Sequence, residues 1–89
     1  MATTVVIVDD HPGFRASARM LLDAEGYEVV GEAENGEQAV EKTRRLRPDV
    51  VLMDIQMPGG DGLQATRRIT ESPEMVSRVV ILTTFERDE

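Results

Sequence analysis

Four short runs of apolar, mostly β-branched residues divide this chain and limit what it can fold into. Each run is continuous and does not alternate with polar residues, which is typical of strands covered on both faces. The runs are Val5–Val8, Val29–Val30, Val50–Met53 and Val79–Leu82. They indicate a buried parallel sheet.

The segments between these runs have the periodicity of amphipathic helices. The residues that share one helical face are Phe14, Ala18, Leu21 and Leu22 in the first segment, Ala39, Val40, Thr43 and Leu46 in the second, and Leu63, Thr66 and Ile69 in the third. The sequence therefore predicts a helix after each of the first three strands.

Capping and turn residues set the limits of these elements. The candidate signals are Asp10 as an N-cap before Pro12, Gly26 at the end of the first helix, Asn35-Gly36 before the second helix, Pro48 after it, and Asp61 as the cap of the third. The predicted strands cover about 4–9, 27–32, 49–54 and 78–83, and the predicted helices about 12–25, 36–46 and 61–71.

Alternating strands and helices in one small domain predict an α/β fold, a doubly wound parallel sheet with right-handed crossovers. Such sheets bind ligands beyond the carboxyl ends of the strands, where the direction of winding reverses. In the strand order 2-1-3-4, this reversal falls between the first and third strands.

Acidic residues end the two strands that flank the predicted reversal. Asp9 and Asp10 end the first strand, and Asp54 ends the third. Taken alone, each is typical of a cap or turn, but Asp54 precedes a loop and not a helix, so capping does not explain it. Crowded carboxylates need a compensating cation, and Mg²⁺ prefers oxygen ligands. The sequence predicts a Mg²⁺ site here, with Mn²⁺ as an alternative ion.

Two further residues lie near this predicted site. Thr83 ends the fourth strand, where its hydroxyl could donate to a phosphate oxygen. Thr84 competes for that role, because side chains alternate along a strand, and either threonine also fits simple β-propensity. His11 could be a ligand or a base, but a single histidine at a helix start more often is solvated or caps the helix.

Composition excludes several classes of function. A net charge of −7 disfavours nucleic-acid binding by this chain. Without cysteine, disulfides, thiolate catalysis and zinc–thiolate sites are excluded. The sequence shows neither a signal-peptide pattern nor an apolar run that could span a bilayer. We therefore expect a cytoplasmic protein with no membrane partner.

Residues 8–12, 49–62 and 79–84 resemble the receiver domain of two-component response regulators. The likeness runs over all 89 residues in the right order and spacing. The first and last of these stretches are most similar to the subfamily with a LuxR-type helix-turn-helix output domain. The resemblance implies a flavodoxin-like receiver topology and a phosphorylation-dependent signalling switch, not an enzyme, that controls a DNA-binding domain outside this chain.

The same resemblance implies roles for matching residues. Asp54 would take the phosphoryl group from the phosphohistidine of a histidine kinase. Asp10 and Asp54 would bind Mg²⁺ directly, and Asp9 through water. The remaining assignments are the backbone carbonyl of Gln56 as a further ligand, Thr83 as the switch hydroxyl, and Pro58 and Gly59 as residues that shape the loop.

A receiver usually continues through a fourth helix, a fifth strand that ends in a lysine, and a fifth helix. The only lysine here is Lys42, in the second predicted helix. We therefore expect residues 1–89 to form a receiver that stops after the fourth strand, without the fifth strand or its catalytic lysine. Strand 4 would then be an uncharged edge, open to a second receiver chain through strand 4 and helix 1, or to residues that complete the sheet.

Two other functions fit parts of the pattern. A Mg²⁺-dependent phosphatase-like hydrolase also uses an aspartate nucleophile at a strand end, although such enzymes typically carry a second aspartate two residues later, where this chain has Gln56. The second alternative is a dimerisation module that works without phosphorylation, in which the acid cluster would have no function.

Overall fold

The computed structural model describes residues 1–82, and the strands in this part of the chain form one parallel sheet in the order β2-β1-β3-β4. The strands are β1 (Thr4–Val8), β2 (Glu28–Ala33), β3 (Val50–Asp54) and β4 (Arg78–Leu82). The helices are α1 (Pro12–Ala24), α2 (Gly36–Leu46) and α3 (Asp61–Thr70), with a short 3-10 helix, Pro58–Gly60, before α3. The predicted fold class and strand order are confirmed.

Most predicted element limits are correct to within one residue. Strand β1 ends at Val8, so Asp9 lies just beyond the strand and not at its last position. Gly26 follows α1 with a positive φ of 92°, the left-handed backbone that favours glycine. Asn35 caps α2 by accepting the Gln38 backbone N–H at 2.8 Å. Thr83, the predicted last residue of strand 4, lies outside the described residues.

Two predicted helix caps are wrong. The N-cap of α1 is His11 and not Asp10, and its side chain makes no capping hydrogen bond. The N-cap of α3 is Gly60, and Asp61 is the first residue of that helix. The Asp61 carboxylate instead accepts the backbone N–H of Gly36 at 2.8 Å, which ties the start of α3 to the start of α2.

Each face of the sheet is covered differently. Helices α2 and α3 pack on one face, where a continuous core forms between them and the sheet: Val6, Val8, Ala33, Ala39, Val40, Val51, Met53, Met57, Ala65 and Ile69. The opposite face carries α1, of which no residue is buried in the described part of the chain. Val50, Leu52 and Val80 on that face are only half-buried or exposed. Within residues 1–82, β3 and β4 are therefore well covered on the α2/α3 face only, although continuous apolar runs are typical of strands covered on both faces.

The inner face of α3 also differs from the prediction. Gly62, Ala65 and Ile69 are buried, whereas the side chain of Leu63 is 59% exposed. Glycine and alanine allow α3 to lie close to β3, so the more apolar Leu63 is turned outward. Among residues 1–82, every helix is too short or too polar to span a bilayer.

Two side-chain truncations on α3 should therefore differ strongly in their effect on the free energy of unfolding. Ile69→Ala should lower the free energy of unfolding by about 2–5 kcal/mol, because it leaves a cavity in the core. Leu63→Ala removes the same class of side chain from the surface and should change it by less than about 1 kcal/mol. Paired urea denaturation measures both, and equal losses would contradict the observed face of α3.

Candidate functional site

The parallel register of the sheet brings the acidic residues together. Val8 of β1 pairs with Met53 of β3, so Asp9 and Asp54 follow at the same edge of two neighbouring strands. Asp10 and His11 come next in the loop before α1. One ligand atom from each of Asp9, Asp10, His11 and Asp54 lies within 4.8 Å of all the others. The predicted convergence of three acids at the reversal point is thus observed.

Asp9 and Asp54 are both buried, and each is held by a backbone N–H two residues later. The Asp9 carboxylate accepts the His11 N–H at 2.8 Å, and the Asp54 carboxylate accepts the Gln56 N–H at 2.9 Å. These short turns fix the orientation of both carboxylates. The contribution of Gln56 that the structure describes is therefore its N–H, and metal binding by its carbonyl stays a prediction.

His11 is the N-cap residue of α1, in line with the expectation of a solvated or capping residue, and its side chain also belongs to the acid cluster. Its Nδ1 lies 3.0 Å from Asp9 Oδ1 and 3.1 Å from Asp10 Oδ1. The side chain nevertheless remains 62% exposed. The contact with Asp10 lacks hydrogen-bond geometry, so Asp10 Oδ1 is buried without a hydrogen-bond partner in the described part of the chain.

These donors fit a hard divalent cation. Three carboxylates offer the oxygen ligands that Mg²⁺ prefers, and their negative charges repel one another unless a cation compensates. The unpartnered Asp10 Oδ1 is the atom that such an ion would satisfy. Asp9, Asp10 and Asp54 therefore form an acidic cluster that could hold a metal ion.

The loop after Asp54 lies close to the strand that carries this residue. Pro58 begins the 3-10 helix, and Gly59 and Gly60 have positive φ angles of 73° and 71°. A Cβ at Gly62 would collide with the backbone of Asp54 and Ile55. Glycine at position 62 is thus required for this close approach of α3 to the strand that carries Asp54. A glycine eight residues after a strand-end aspartate is a weak signal without the structure.

Sequence comparison identifies the family. The family model described as "Response regulator receiver domain" matches residues 5–89. The chain belongs to the response regulator receiver family. It is 48% identical over 85 residues to "Response regulator GacA" of Pseudomonas viridiflava, covering 94% of this chain and 39% of that protein. The receiver domain described here thus spans about two fifths of the length of that relative.

A protein with a different name and a solved structure are also similar to this chain. "Protein-glutamate methylesterase/protein-glutamine glutaminase 3" of Hahella chejuensis is 47% identical over 79 residues, which cover 89% of this chain and 22% of that protein. The crystal structure of a LuxR-family two-component response regulator from Aurantimonas superposes with a TM-score of 0.86 at 36% identity. It matches 97% of this chain and 61% of that one.

Two further expectations concern the switch hydroxyl, Thr83, and the only lysine, Lys42, which the sequence placed in the second helix and not at the site. Thr83, the predicted switch hydroxyl, lies outside the described residues. Lys42 lies on α2, where its ammonium group donates to the backbone carbonyl of Glu32 at 2.6 Å.

Burial and neighbouring charges displace the pKa of Asp54 from its ordinary value. Burial raises the pKa of Asp54 above its ordinary value, and the neighbouring carboxylates Asp9 and Asp10 raise it further. The Gln56 N–H acts in the opposite direction. Because the folded state binds this proton more tightly than the unfolded chain, Asp54 contributes stability at low pH. That contribution is lost as the pH rises through the raised pKa.

Asp54→Asn should therefore make the metal-free receiver more stable at pH 7, since asparagine keeps the acceptor for Gln56 and carries no charge. The advantage over the wild type should shrink as the pH falls through the raised pKa of Asp54, and it should be smallest below about 4, where the unfolded carboxyl is also protonated. Thermal unfolding from pH 3 to pH 8 without divalent ions measures this difference. Asp23→Asn, an exposed change on α1, is the control, and an equal gain there would contradict the assignment to the acid cluster.

Proposed function

We propose that this receiver is a phosphorylation-dependent signalling switch in which Asp54 accepts a phosphoryl group from a histidine kinase. The observation that supports it most directly is the convergence of Asp9, Asp10 and Asp54 at the sheet edge. An oxygen of Asp54 would form the new bond to phosphorus, and the bond from phosphorus to the histidine nitrogen of the kinase would break. The electron pair of that bond then stays on the histidine, which takes up a proton.

Asp54 is the best placed of the three acids for this step. It ends β3 and precedes a loop, whereas Asp9 is engaged by both the backbone and the ring of His11. The Gln56 N–H orients the Asp54 carboxylate, and orientation supplies much of the catalysis that phosphoryl transfer needs. Burial of Asp54 among core residues limits the access of water to its carboxylate.

We infer that the cluster binds Mg²⁺, or Mn²⁺ in its place. Asp10 and Asp54 would bind the ion directly, Asp9 through water, and Gln56 through its backbone carbonyl. When bound, the ion would neutralise the charge that gathers on the phosphoryl oxygens. Thr83 is the proposed switch hydroxyl, an assignment that rests on its predicted place at the end of strand 4 and on the resemblance. Pro58 and Gly59 would shape the loop beside the site, in agreement with the tight turn that these residues form.

The phosphorylation test uses the full-length protein with Mg²⁺ and either a phosphorylated histidine kinase or acetyl phosphate. Wild type and the Asp23→Asn control should gain the mass of one phosphoryl group, and Asp54→Asn should gain none. Intact-protein mass spectrometry reads the result. An Asp54→Asn protein that still gains the phosphoryl group would exclude Asp54 as the acceptor. Sustained release of phosphate from small phosphate esters would instead favour the hydrolase alternative.

We propose that the whole protein controls transcription through a separate DNA-binding domain and acts in the cytoplasm. The support is the likeness to GacA and to a LuxR-family regulator. The similar methylesterase indicates that a receiver of this kind also occurs in proteins named as enzymes. The receiver itself would be neither enzyme nor nucleic-acid-binding module, and its net charge of −7 agrees with this assignment.

We also propose that the isolated 1–89 polypeptide binds a second copy of itself through β4 and α1. Within residues 1–82, β4 is an edge strand, and its Val80 and Ile81 side chains are 43% and 39% exposed. Leu21 of α1 is exposed as well. An edge strand presents unpaired backbone groups, and two identical edges can pair about a two-fold axis.

Sedimentation of the 1–89 polypeptide tests this association. The wild type should sediment as a dimer or larger species, and Val80→Lys should shift it toward the monomer, because a charge on an edge strand opposes pairing. Thr70→Lys, an exposed change at the end of α3, adds the same charge elsewhere and should leave the association unchanged. A compact monomer that melts cooperatively would contradict the proposal.

A further inference from the structure

Arg15, on the first turns of α1, is the cation most closely connected to the acid cluster among residues 1–82. Its Nη1 donates to the backbone carbonyl of Asp9 at 2.7 Å. Its Nε donates to Glu32 Oε1 on β2 at 3.0 Å. The side chain is only 15% exposed. A half-exposed surface pair would contribute little, but this guanidinium is largely enclosed and both of its contacts are short.

The Asp9 carbonyl that Arg15 binds belongs to the peptide that joins the two acids of the β1–α1 loop. A peptide unit is planar, so holding its oxygen also sets the direction of the Asp10 N–H and Cα. The Asp9 N–H is already bonded to Ala33 of β2 at 3.0 Å. Arg15 therefore holds the carbonyl of Asp9, the first residue after the end of β1.

Glu32 in turn fixes Arg15. Its two carboxylate oxygens are divided between Arg15 and Arg19, whose Nε lies 3.1 Å from Oε2. The Glu32 backbone carbonyl accepts Lys42 of α2 at 2.6 Å. Charge-assisted bonds of this kind combine strength with a defined geometry. Glu32 of β2 is thus bound by both α1 and α2, and Arg15 connects it to the loop that carries Asp9 and Asp10.

We propose that Arg15 is a positioning residue of the acidic site, which orients the Asp9–Asp10 peptide so that both carboxylates are ready for the cation. This inference rests on the proposed metal-dependent function of the same site. Residues that do not touch a metal ion but orient its ligands typically contribute about 10–100-fold to metal affinity. Arg15 never touches the ion itself; it acts through the backbone of Asp9.

Arg19 offers a matched control, because it shares Glu32 with Arg15 and has no described contact with Asp9. In the full-length protein, Arg15→Gln should weaken Mg²⁺ binding about tenfold or more. Arg19→Gln should change it less than about twofold. Arg15→Lys should give an intermediate loss, because an ammonium group can donate to the Asp9 carbonyl but lacks the planar fork that also holds Glu32. Backbone NMR shifts of residues 9–11 and 54–56 during a Mg²⁺ titration give the three affinities.

A second measurement separates positioning from general destabilisation. In Arg15→Gln, phosphorylation by acetyl phosphate should reach half of its maximal rate at a higher Mg²⁺ concentration than in the wild type. At saturating Mg²⁺, the two rates should be similar. If Arg15→Gln does not fold, the test compares Arg15→Lys with Arg19→Lys. Mg²⁺ affinity should then fall only in Arg15→Lys. Equal losses for the two arginines would overturn the inference and assign the effect to Glu32. A wild-type protein that binds no Mg²⁺ would overturn the proposed function, and the inference with it.

Discussion

Pairing of Val8 with Met53 in the parallel ladder places the residues that follow, Asp9 and Asp54, side by side at one edge of the sheet. Both carboxylates are buried there, and Asp10 adds a third negative charge. Burial and the resulting repulsion raise the pKa of Asp54. One oxygen of Asp10 is also buried without a hydrogen-bond partner among residues 1–82. This crowding of carboxylates destabilises the metal-free fold, and a bound cation would relieve it.

Contacts outside the acid cluster keep its two loops in place. On the β1 side, Arg15 holds the Asp9 carbonyl and is itself held by Glu32. On the β3 side, the absence of a side chain at Gly62 allows the start of α3 to approach the backbone of Asp54. Asp61 joins this segment to the start of α2 through the Gly36 N–H. Each loop is therefore bound to a neighbouring helix as well as to its strand.

The sheet is more completely covered on the α2/α3 face than on the α1 face. The core of the described residues lies between the sheet and α2 and α3, which supports the strands that carry the acids. The relatives that share this receiver include proteins named as a response regulator and as a methylesterase. Similarity to proteins with such different names agrees with the proposed switch, whose output would depend on the rest of the protein.

The sequence alone determined the order of the elements, the parallel sheet and the convergence of Asp9, Asp10 and Asp54, because apolar runs and strand-end acids are local patterns. It did not predict the buried face of α3, since Gly62 and Ala65 have little hydrophobic signal and only their closeness to β3 makes them buried. Likewise, the sequence did not predict that Asp61 accepts the Gly36 N–H or that Arg15 donates to the Asp9 carbonyl. Tertiary structure decided those partners, because a polar side chain binds whichever backbone group the packing brings within reach.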